Sequence, residues 1–348
     1  MIKVFKTGRH SHRTPLSYPA LWPLFEGKIE LVDRPSLADI YVFAHVLDIQ
    51  DAPFEVIEDW RARKRPVVLL SEEPFWDTIW GGRPLDPVIY VETDWGPLPV
   101  HQINHCTSDI YKFQHIPYYL LTNHRFANAY RHRFARNAAR TVQDWQEDFA
   151  RRPVDVAFMF ERRAERHHWV EWPEADLTGL CSWRTDLAEA CTTGVVERLG
   201  QSWQGGQSRF ELTTDWHMDK LTRLDGRTRL MGALENTHHP DYISEKFFDA
   251  FACGAVPIYW ASPGHRIHEL GLPERSWVNL WGMTPDEGAA RIADALRGSE
   301  TAVTMPSAMA TLKQLFTPAE AWQSSRDHVG TGVIHALQHV CDFPLLTL

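Results

Sequence analysis

The feature that most constrains this chain is an alternation. Short apolar, β-branched runs recur from the first residues to about residue 280, and the gaps between many of them carry helical periodicity. Ile2–Lys6, Ile29–Val32, Asp39–His45, Pro66–Leu70, Val88–Glu92 and Val100–Asn104 read as strands. Between them, Phe54, Ile57, Trp60 and Arg61 give the stretch Phe54–Arg63 one apolar helical face. Such alternation predicts βαβ units and a mainly parallel sheet. One long helical pattern without Gly or Pro then runs from Asn123 to Arg152 and stops at Pro153. A second series follows: a strand at Val154–Phe160, a helix at Thr185–Leu199, a strand at Leu230–Leu234, a helix at Ser244–Cys253, and strands at Val256–Trp260 and Ser276–Leu280. Helices over Pro285–Leu296, Ala308–Phe316 and Pro318–Val340 close it.

At 348 residues the chain exceeds one modest core, so the economical reading is two α/β halves, residues 1–150 and 151–348. With 44% apolar and 23% charged residues it is an ordinary globular composition, which excludes disorder and collagen-like structure. The formal charge of −9 argues against a protein whose main task is neutralising nucleic-acid phosphate. The N-terminus enters its first strand without the apolar run of a secretory signal, and no window approaches a membrane span. The expected location is therefore the cytoplasm. Arg125, Arg131, Arg133, Arg136, Arg140, Arg151 and Arg152 crowd one helical stretch and leave two readings, peripheral contact with an anionic membrane face or a solvated helix surface. Five widely spaced cysteines without a Cys-x-x-Cys pair suggest buried thiols rather than a disulfide framework or zinc site. Fifteen tryptophans fit either packing or sugar stacking.

Several chemistries lack their motifs. There is no Gly-x-Gly-x-x-Gly, no Gly-x-x-x-x-Gly-Lys-Ser/Thr and no Gly-x-Ser-x-Gly, so dinucleotide, P-loop and hydrolase readings lose their main support. Asp-x-Asp is also absent, and with it the usual sign of a metal-dependent sugar-nucleotide site. The histidine pairs His167–His168, His238–His239 and His265/His268 lack a partner set for a metal.

The informative stretch is Leu230–Pro263, which reads as strand, polar loop, helix, Gly stop and strand. The loop Glu235–Ile243 leaves the carboxyl end of a strand, where open α/β sheets place ligands. Lys246 is the anomaly, because a cation in a helix's first turn opposes the macrodipole. A diphosphate there would turn Lys246 and the free N–H groups into a binding site, and Glu245 would suit a ribose diol. Asn236 and Tyr242 add neutral hydrogen-bonding groups. Spacing alone leaves this reading level with one in which Glu245 complements the dipole and Lys246 is solvated.

Leu234-Glu235-Asn236, Tyr242-Ile243-Ser244-Glu245-Lys246 and Val256-Pro257-Ile258-Tyr259-Trp260 closely resemble the signature of glycosyltransferase family 10, the α-1,3/1,4-fucosyltransferases, bacterial type. The resemblance implies a GT-B-like fold, two Rossmann-like α/β domains facing a central cleft, with acceptor on the first half and GDP-fucose on the second. It implies that the terminal helices pack back on the first half. Asn236, Tyr242, Glu245 and Lys246 would hold ribose and diphosphate. Cys181-Ser182-Trp183-Arg184-Thr185-Asp186-Leu187 resembles the segment where the family places an arginine on the diphosphate, which selects Arg184, with Arg163 and Arg166 as rivals. Val67-Val68-Leu69-Leu70-Ser71-Glu72-Glu73-Pro74-Phe75-Trp76 resembles the strand and loop that carry the proposed general base, so Glu72 inherits that role, with Glu73 as rival. Trp76 and Trp80 follow it as candidates for acceptor stacking. This chain departs from the pattern at His238-His239-Pro240 and Ala261, and lacks the C-terminal heptads of some bacterial relatives.

The implied reaction is an inverting transfer of fucose to a glycan hydroxyl, without a metal or other cofactor, Arg184, Lys246 and a helix N-terminus stabilising the departing GDP. A lipopolysaccharide O-chain or another N-acetylglucosamine-containing glycan is the implied acceptor. The competing readings are a GT-B enzyme using a different sugar nucleotide, and a non-catalytic protein that binds nucleotide sugars or glycans.

Overall fold

The computed structural model describes residues 1–204 and 215–343. In it the apolar runs form two mainly parallel sheets, as their alternation with helices implied. One unit holds Met1–His124 and the chain from Trp322 onward; the other is Arg125–Ala321.

The first unit contains β1 (Ile2–Lys6), β2 (Ile29–Leu31), β3 (Ile40–Phe43), β4 (Val67–Leu70), β5 (Val88–Val91) and β6 (Leu98–Ile103), ordered β2-β1-β3-β4-β6-β5. Neighbours are parallel except β5 against β6. Every residue of β3 and β4 is buried, as expected for parallel strands covered on both faces, and their sequences accordingly show no polar alternation. The helix Phe54–Arg63 buries Val56 and Ile57 and rests Trp60 on the same core. Phe54 is half exposed and packs instead on Trp95, ring centroids 4.9 Å apart, because it sits at the helix's first position, ahead of the buried stripe.

The second unit contains β7 (Val154–Met159), β8 (Glu171–Trp172), β9 (Leu177–Gly179), β10 (Val196–Leu199), β11 (Thr228–Gly232), β12 (Thr237–His238), β13 (Val256–Tyr259) and β14 (Val278–Asn279). Its main sheet runs β10-β7-β11-β13-β14, all parallel, beside a small antiparallel sheet β12-β9-β8. Both main sheets reverse direction of growth at their first strand. β1 has β2 on one side and β3 on the other, and β7 has β10 and β11. Open α/β sheets leave a ligand crevice at the carboxyl ends of such a pair.

The stretch expected as one helix over Asn123–Arg152 is two, His124–Ala138 and Val142–Arg151. Thr141 starts the second: its hydroxyl accepts from the Asp144 N–H, and the Asp144 carboxylate accepts from the Thr141 N–H at 2.8 Å. The division between units falls at residues 124/125 rather than near 150. The second helix belongs to the second unit because Trp145 is fully buried there and Arg152 donates to the carbonyls of Thr228 (2.5 Å) and Gly254 (2.8 Å). Gly254 must be glycine, with φ of 71° and a would-be Cβ 3.2 Å from the Trp145 ring. The expected helix Thr185–Leu199 is the shorter Cys181–Ala190 followed by strand β10. Gly194, at φ 72°, turns the chain, and the Asp155 carboxylate accepts from the Val195 N–H at 2.9 Å.

Ion pairs account for most of the arginine-rich stretch. Arg125 pairs with Asp215, Arg133 and Arg136 with Asp225, Arg140 and Arg152 with Asp148, and Arg151 with Glu147. Partners supplied mainly from within the unit neutralise the charge that a membrane face would need. No helix among the described residues is long and apolar enough to cross a membrane. All five cysteines are free thiols, Cys181, Cys191 and Cys253 buried and the other two half-buried.

Arg140 lies over the Trp145 ring at 3.9 Å, so this indole is packed on one side and capped by a cation on the other. Trp145→Ala should cost about 3–5 kcal/mol, read as a fall in urea midpoint at unchanged slope.

Candidate functional site

In the second unit, the candidate donor site forms where β7 and β11 end. Arg184 stands in the first turn of Cys181–Ala190, its backbone N–H donating to the Leu180 carbonyl at 2.8 Å. Its side chain lies over the Phe160 ring at 4.6 Å, just past β7, and Nη1 donates to the Leu234 carbonyl, just past β11, at 3.2 Å. The residue is only 3% exposed. Among the described residues no carboxylate pairs with it, and its Nε has no hydrogen-bond partner. A buried cation holding one neutral acceptor has lost its hydration without an opposite charge. That arrangement suits an anionic ligand.

Its two rivals are placed differently. Arg163 pairs with Glu161 at 2.7 Å, and Arg166 is exposed on the turn Arg166–His168.

Lys246 stands where the sequence put it, in the first turn of Glu245–Ala252, and the structure explains how it is tolerated. Its Nζ donates to Glu235 Oε2 at 2.7 Å and Ser244 Oγ at 2.8 Å, while Ser244 Oγ and N–H donate to Glu235 Oε1 at 2.7 and 2.8 Å. Glu235 is a residue the sequence reading left out of the site. Burial pushes its carboxyl up and Lys246 draws it back. The Lys246 side chain keeps about a quarter of its surface exposed, so the ammonium bridges a buried carboxylate and the outside. Asn236 is half-buried, its carbonyl accepting from the Leu180 N–H at 2.8 Å, which ties the loop to the helix bearing Arg184. Tyr242 is buried, and its carbonyl accepts from the Tyr259 hydroxyl at 3.4 Å.

Glu245 corrects an expectation. The side chain is 4% exposed, with Lys220 Nζ 3.5 Å and Lys246 Nζ 3.9 Å from its Oε1. Lys220 also donates to Asp249 Oδ2 at 2.6 Å, and Asp249 Oδ1 accepts from His217 Nε2 at 2.8 Å and Tyr130 OH at 2.9 Å. This cluster lies under the helix that presents Lys246. Burial works to raise the Asp249 carboxyl, but Lys220 and His217 outweigh it and hold it down to about 2. Lys220 is raised above its ordinary value by Asp249 and Glu245 in spite of burial. Lys220, His217 and Tyr130 carried no sequence signal, since each meets the cluster only through tertiary packing.

In the first unit, Glu72 and Glu73 follow β4 at the sheet's carboxyl edge. The Glu72 side chain is 1% exposed, and donors occupy both oxygens: Arg13 Nε at 2.6 Å and Tyr18 OH at 2.5 Å on Oε1, Tyr118 OH at 2.6 Å on Oε2. Burial and Glu72 hold both phenols far above their ordinary values, so they stay donors. Glu72 is thereby held at the carboxyl end of β4 by three donors from separate segments, Arg13 among them. Arg13 also reaches Glu73 at 3.2 Å and lies over the Trp76 ring at 5.1 Å. Trp76 is half-buried and Trp80 39% exposed, with His45 near both rings at 4.7 and 5.4 Å. An aromatic ledge beside charged and hydrogen-bonding groups is the composition of a carbohydrate-binding face. No group of three or more His, Cys, Asp or Glu among the described residues is placed to hold a metal ion.

Residues 198–300 match the family model described as glycosyltransferase family 10 (fucosyltransferase) C-term. A crystal structure of an α1,3-fucosyltransferase aligns over 88% of this chain and 80% of its own, at 14% identity and a TM-score of 0.42. One of an α1,3-fucosyltransferase with GDP-fucose aligns over 91% of each, at 12% identity and 0.41. Anabaena HepE in complex with UDP and glucose aligns over 97% of this chain and 100% of its own, at 12% identity and 0.37. No curated protein sequence matches the chain.

The Asp249 cluster carries a pH signature. Because its folded value of about 2 lies below the ordinary 3.8, Asp249 contributes stability above the latter that disappears as pH falls through about 2. Asp249→Asn leaves Lys220 without its nearest charge partner and should cost about 3–5 kcal/mol at pH 7. The gap in melting temperature from the parent should narrow as pH drops from 4 toward 2.

Proposed function

We propose that this protein is a family-10 glycosyltransferase that moves a fucosyl group from GDP-fucose to a hydroxyl of a glycan, inverting the anomeric carbon. The acceptor class we propose is an N-acetylglucosamine-containing glycan fucosylated through an α-1,3 linkage. Arg184 carries the reading: a buried guanidinium with no carboxylate, at the crevice where β7 and β11 end. Diphosphate is the group of a nucleotide sugar that such a cation would take up. Lys246, bridging Glu235 and the outside, is the second cation for the departing GDP. Asn236 adds a neutral contact, and Tyr242 and Glu245 support the loop from within. Without an Asp-x-Asp clamp, these fixed cations and the helix N-terminus take over the charge that develops on the leaving phosphate. On the acceptor side, Trp76 and Trp80 supply the stacking face.

Incubation with GDP-fucose, GDP-mannose and UDP-sugars, each with lactosamine-type acceptors, tests the reading, and release of GDP from GDP-fucose alone is expected. Acceptor-dependent turnover with UDP-glucose instead would transfer the reading to another sugar donor, and GDP binding without release would make the chain a binding protein. Arg184→Ala and Lys246→Ala should each weaken GDP binding by roughly tenfold to a hundredfold in calorimetry, the value of one charge-assisted contact of about 1.5–3 kcal/mol. Unchanged affinity in both removes the diphosphate assignment. Transfer should persist in EDTA, since no step of the proposed reaction uses a divalent metal.

A further inference from the structure

The transfer proposed above needs a group that takes the proton of the attacking hydroxyl, and the sequence places that base at Glu72, on the loop after β4. Such a carboxylate has to be held in one orientation and kept ionised until the hydroxyl arrives. Arg13 is placed to do both. It lies between β1 and the turn Pro15–Ser17, its backbone N–H donating to the His10 carbonyl at 2.8 Å. With the sheet ordered β2-β1-β3-β4, its side chain crosses the end of β3 to reach the loop after β4. There Nε donates to Glu72 Oε1 at 2.6 Å and Nη2 to Glu73 Oε2 at 3.2 Å, so one planar fork spans two carboxylates. The Trp76 ring, 5.1 Å away, backs the guanidinium.

We propose that Arg13 is the positioning residue of the base, holding the Glu72 carboxylate ionised and oriented for the acceptor hydroxyl, an assignment that rests on the fucosyl-transfer reading. An ionised carboxylate offers about four acceptor sites. Arg13 and the Tyr18 hydroxyl occupy Oε1, and the Tyr118 hydroxyl takes one site on Oε2, which leaves the second site of Oε2 for the incoming hydroxyl. None of the three donors competes for its proton. Burial and Glu72 raise both phenols, and Glu72 and Glu73 raise the guanidinium in spite of burial.

A plain ion pair would match one carboxylate to one cation, whereas here one guanidinium faces two carboxylates. No other Lys or Arg among the described residues pairs with Glu72. The remaining titratable neighbours add no positive charge to its oxygens. His105 Nε2 lies 3.3 Å from the Glu72 backbone carbonyl, Tyr111 stacks on His105 at 4.3 Å, and Tyr119 faces Arg13 and Tyr18. Asp77, next to Glu73, is pushed up to about 7 by burial, and Glu73 adds to the rise. Without Arg13, a buried carboxylate beside Glu73 would keep a proton to higher pH and lose its activity as a base.

The test follows GDP release from GDP-fucose with a lactosamine-type acceptor between about pH 5 and 9 for the parent chain, Arg13→Gln, Arg13→Lys and Glu72→Gln. Arg13→Gln should move the acid limb of kcat/KM up by about 1–3 pH units, the effect of removing a cation from a carboxylate, while KM for GDP-fucose holds. Arg13→Lys keeps the charge without the fork, so its acid limb should stay in place while kcat falls roughly tenfold to a hundredfold. An acid limb in Arg13→Gln that coincides with the parent's overturns the assignment, as does a parent-like kcat in Arg13→Lys, which decides alone if Arg13→Gln does not fold. A parent-like kcat in Glu72→Gln overturns it by removing the base that Arg13 would position. All three results leave GDP release by the parent chain intact, whereas a parent chain that releases no GDP with or without acceptor overturns the fucosyl-transfer reading and the assignment with it.

Discussion

A cation taken out of water has to meet an opposite charge or enough oxygen to replace its hydration shell, and that constraint organises both units. Arg13 meets Glu72 and Glu73, Lys220 meets Asp249 and Glu245, Lys246 meets Glu235, and Arg152 meets Asp148 with two backbone carbonyls. Arg13 and Lys220 thereby join segments far apart in the chain, and Arg152 does so through the carbonyls of Thr228 and Gly254 rather than through Asp148, one helical turn away. Among the described residues Arg184 departs from this pairing, with one carbonyl and a phenyl ring around a buried guanidinium, as does Arg326, held by the Leu121 carbonyl and His124. What distinguishes Arg184 is that its deficit lies where β7 and β11 end.

The two switch points give the pairs their locations. Each main sheet begins at an inner strand and grows to both sides, so two loops diverge at the carboxyl ends and leave space between them. In the second sheet those loops present Phe160 and Leu234, and Arg184 touches both. In the first they present His10 and Asp48, which bond each other across the same kind of gap. Arg184 and the His10–Asp48 pair therefore lie at the two positions that topology alone selects.

Much of this was legible beforehand, and the reasons for the rest are physical. The alternation of strands and helices, the parallel sheets, and the positions of Arg184, Lys246 and Asn236 followed from pattern and motif. The break at Thr141 was missed because an apolar period that spans a cap looks continuous until the cap's own hydrogen bonds are considered. Glu245 was assigned outward because a first-turn carboxylate commonly serves the dipole or a ligand, and nothing local announces a lysine 25 positions earlier. Glu72 followed from resemblance, yet Arg13, Tyr18 and Tyr118 converge on it from three segments that show no shared pattern. His10 has the same history in reverse: a lone histidine after a strand carries no signal until Asp48, 38 positions later, is seen to hold it.

Glu72 and Asp48 are both buried carboxylates on one sheet edge, and the difference in what they hold divides their tasks. Glu72 binds a guanidinium that stays protonated at any working pH, helped by two phenols that also stay protonated, so its partners fix geometry without exchanging protons. Asp48 instead holds an imidazole, accepting from both Nδ1 and the backbone N–H of His10, which fixes the orientation of that ring. Arg13 lies over the Trp76 ring at 5.1 Å and the His10 ring meets it edge-on at 5.2 Å, so both carboxylate-held groups adjoin a single indole.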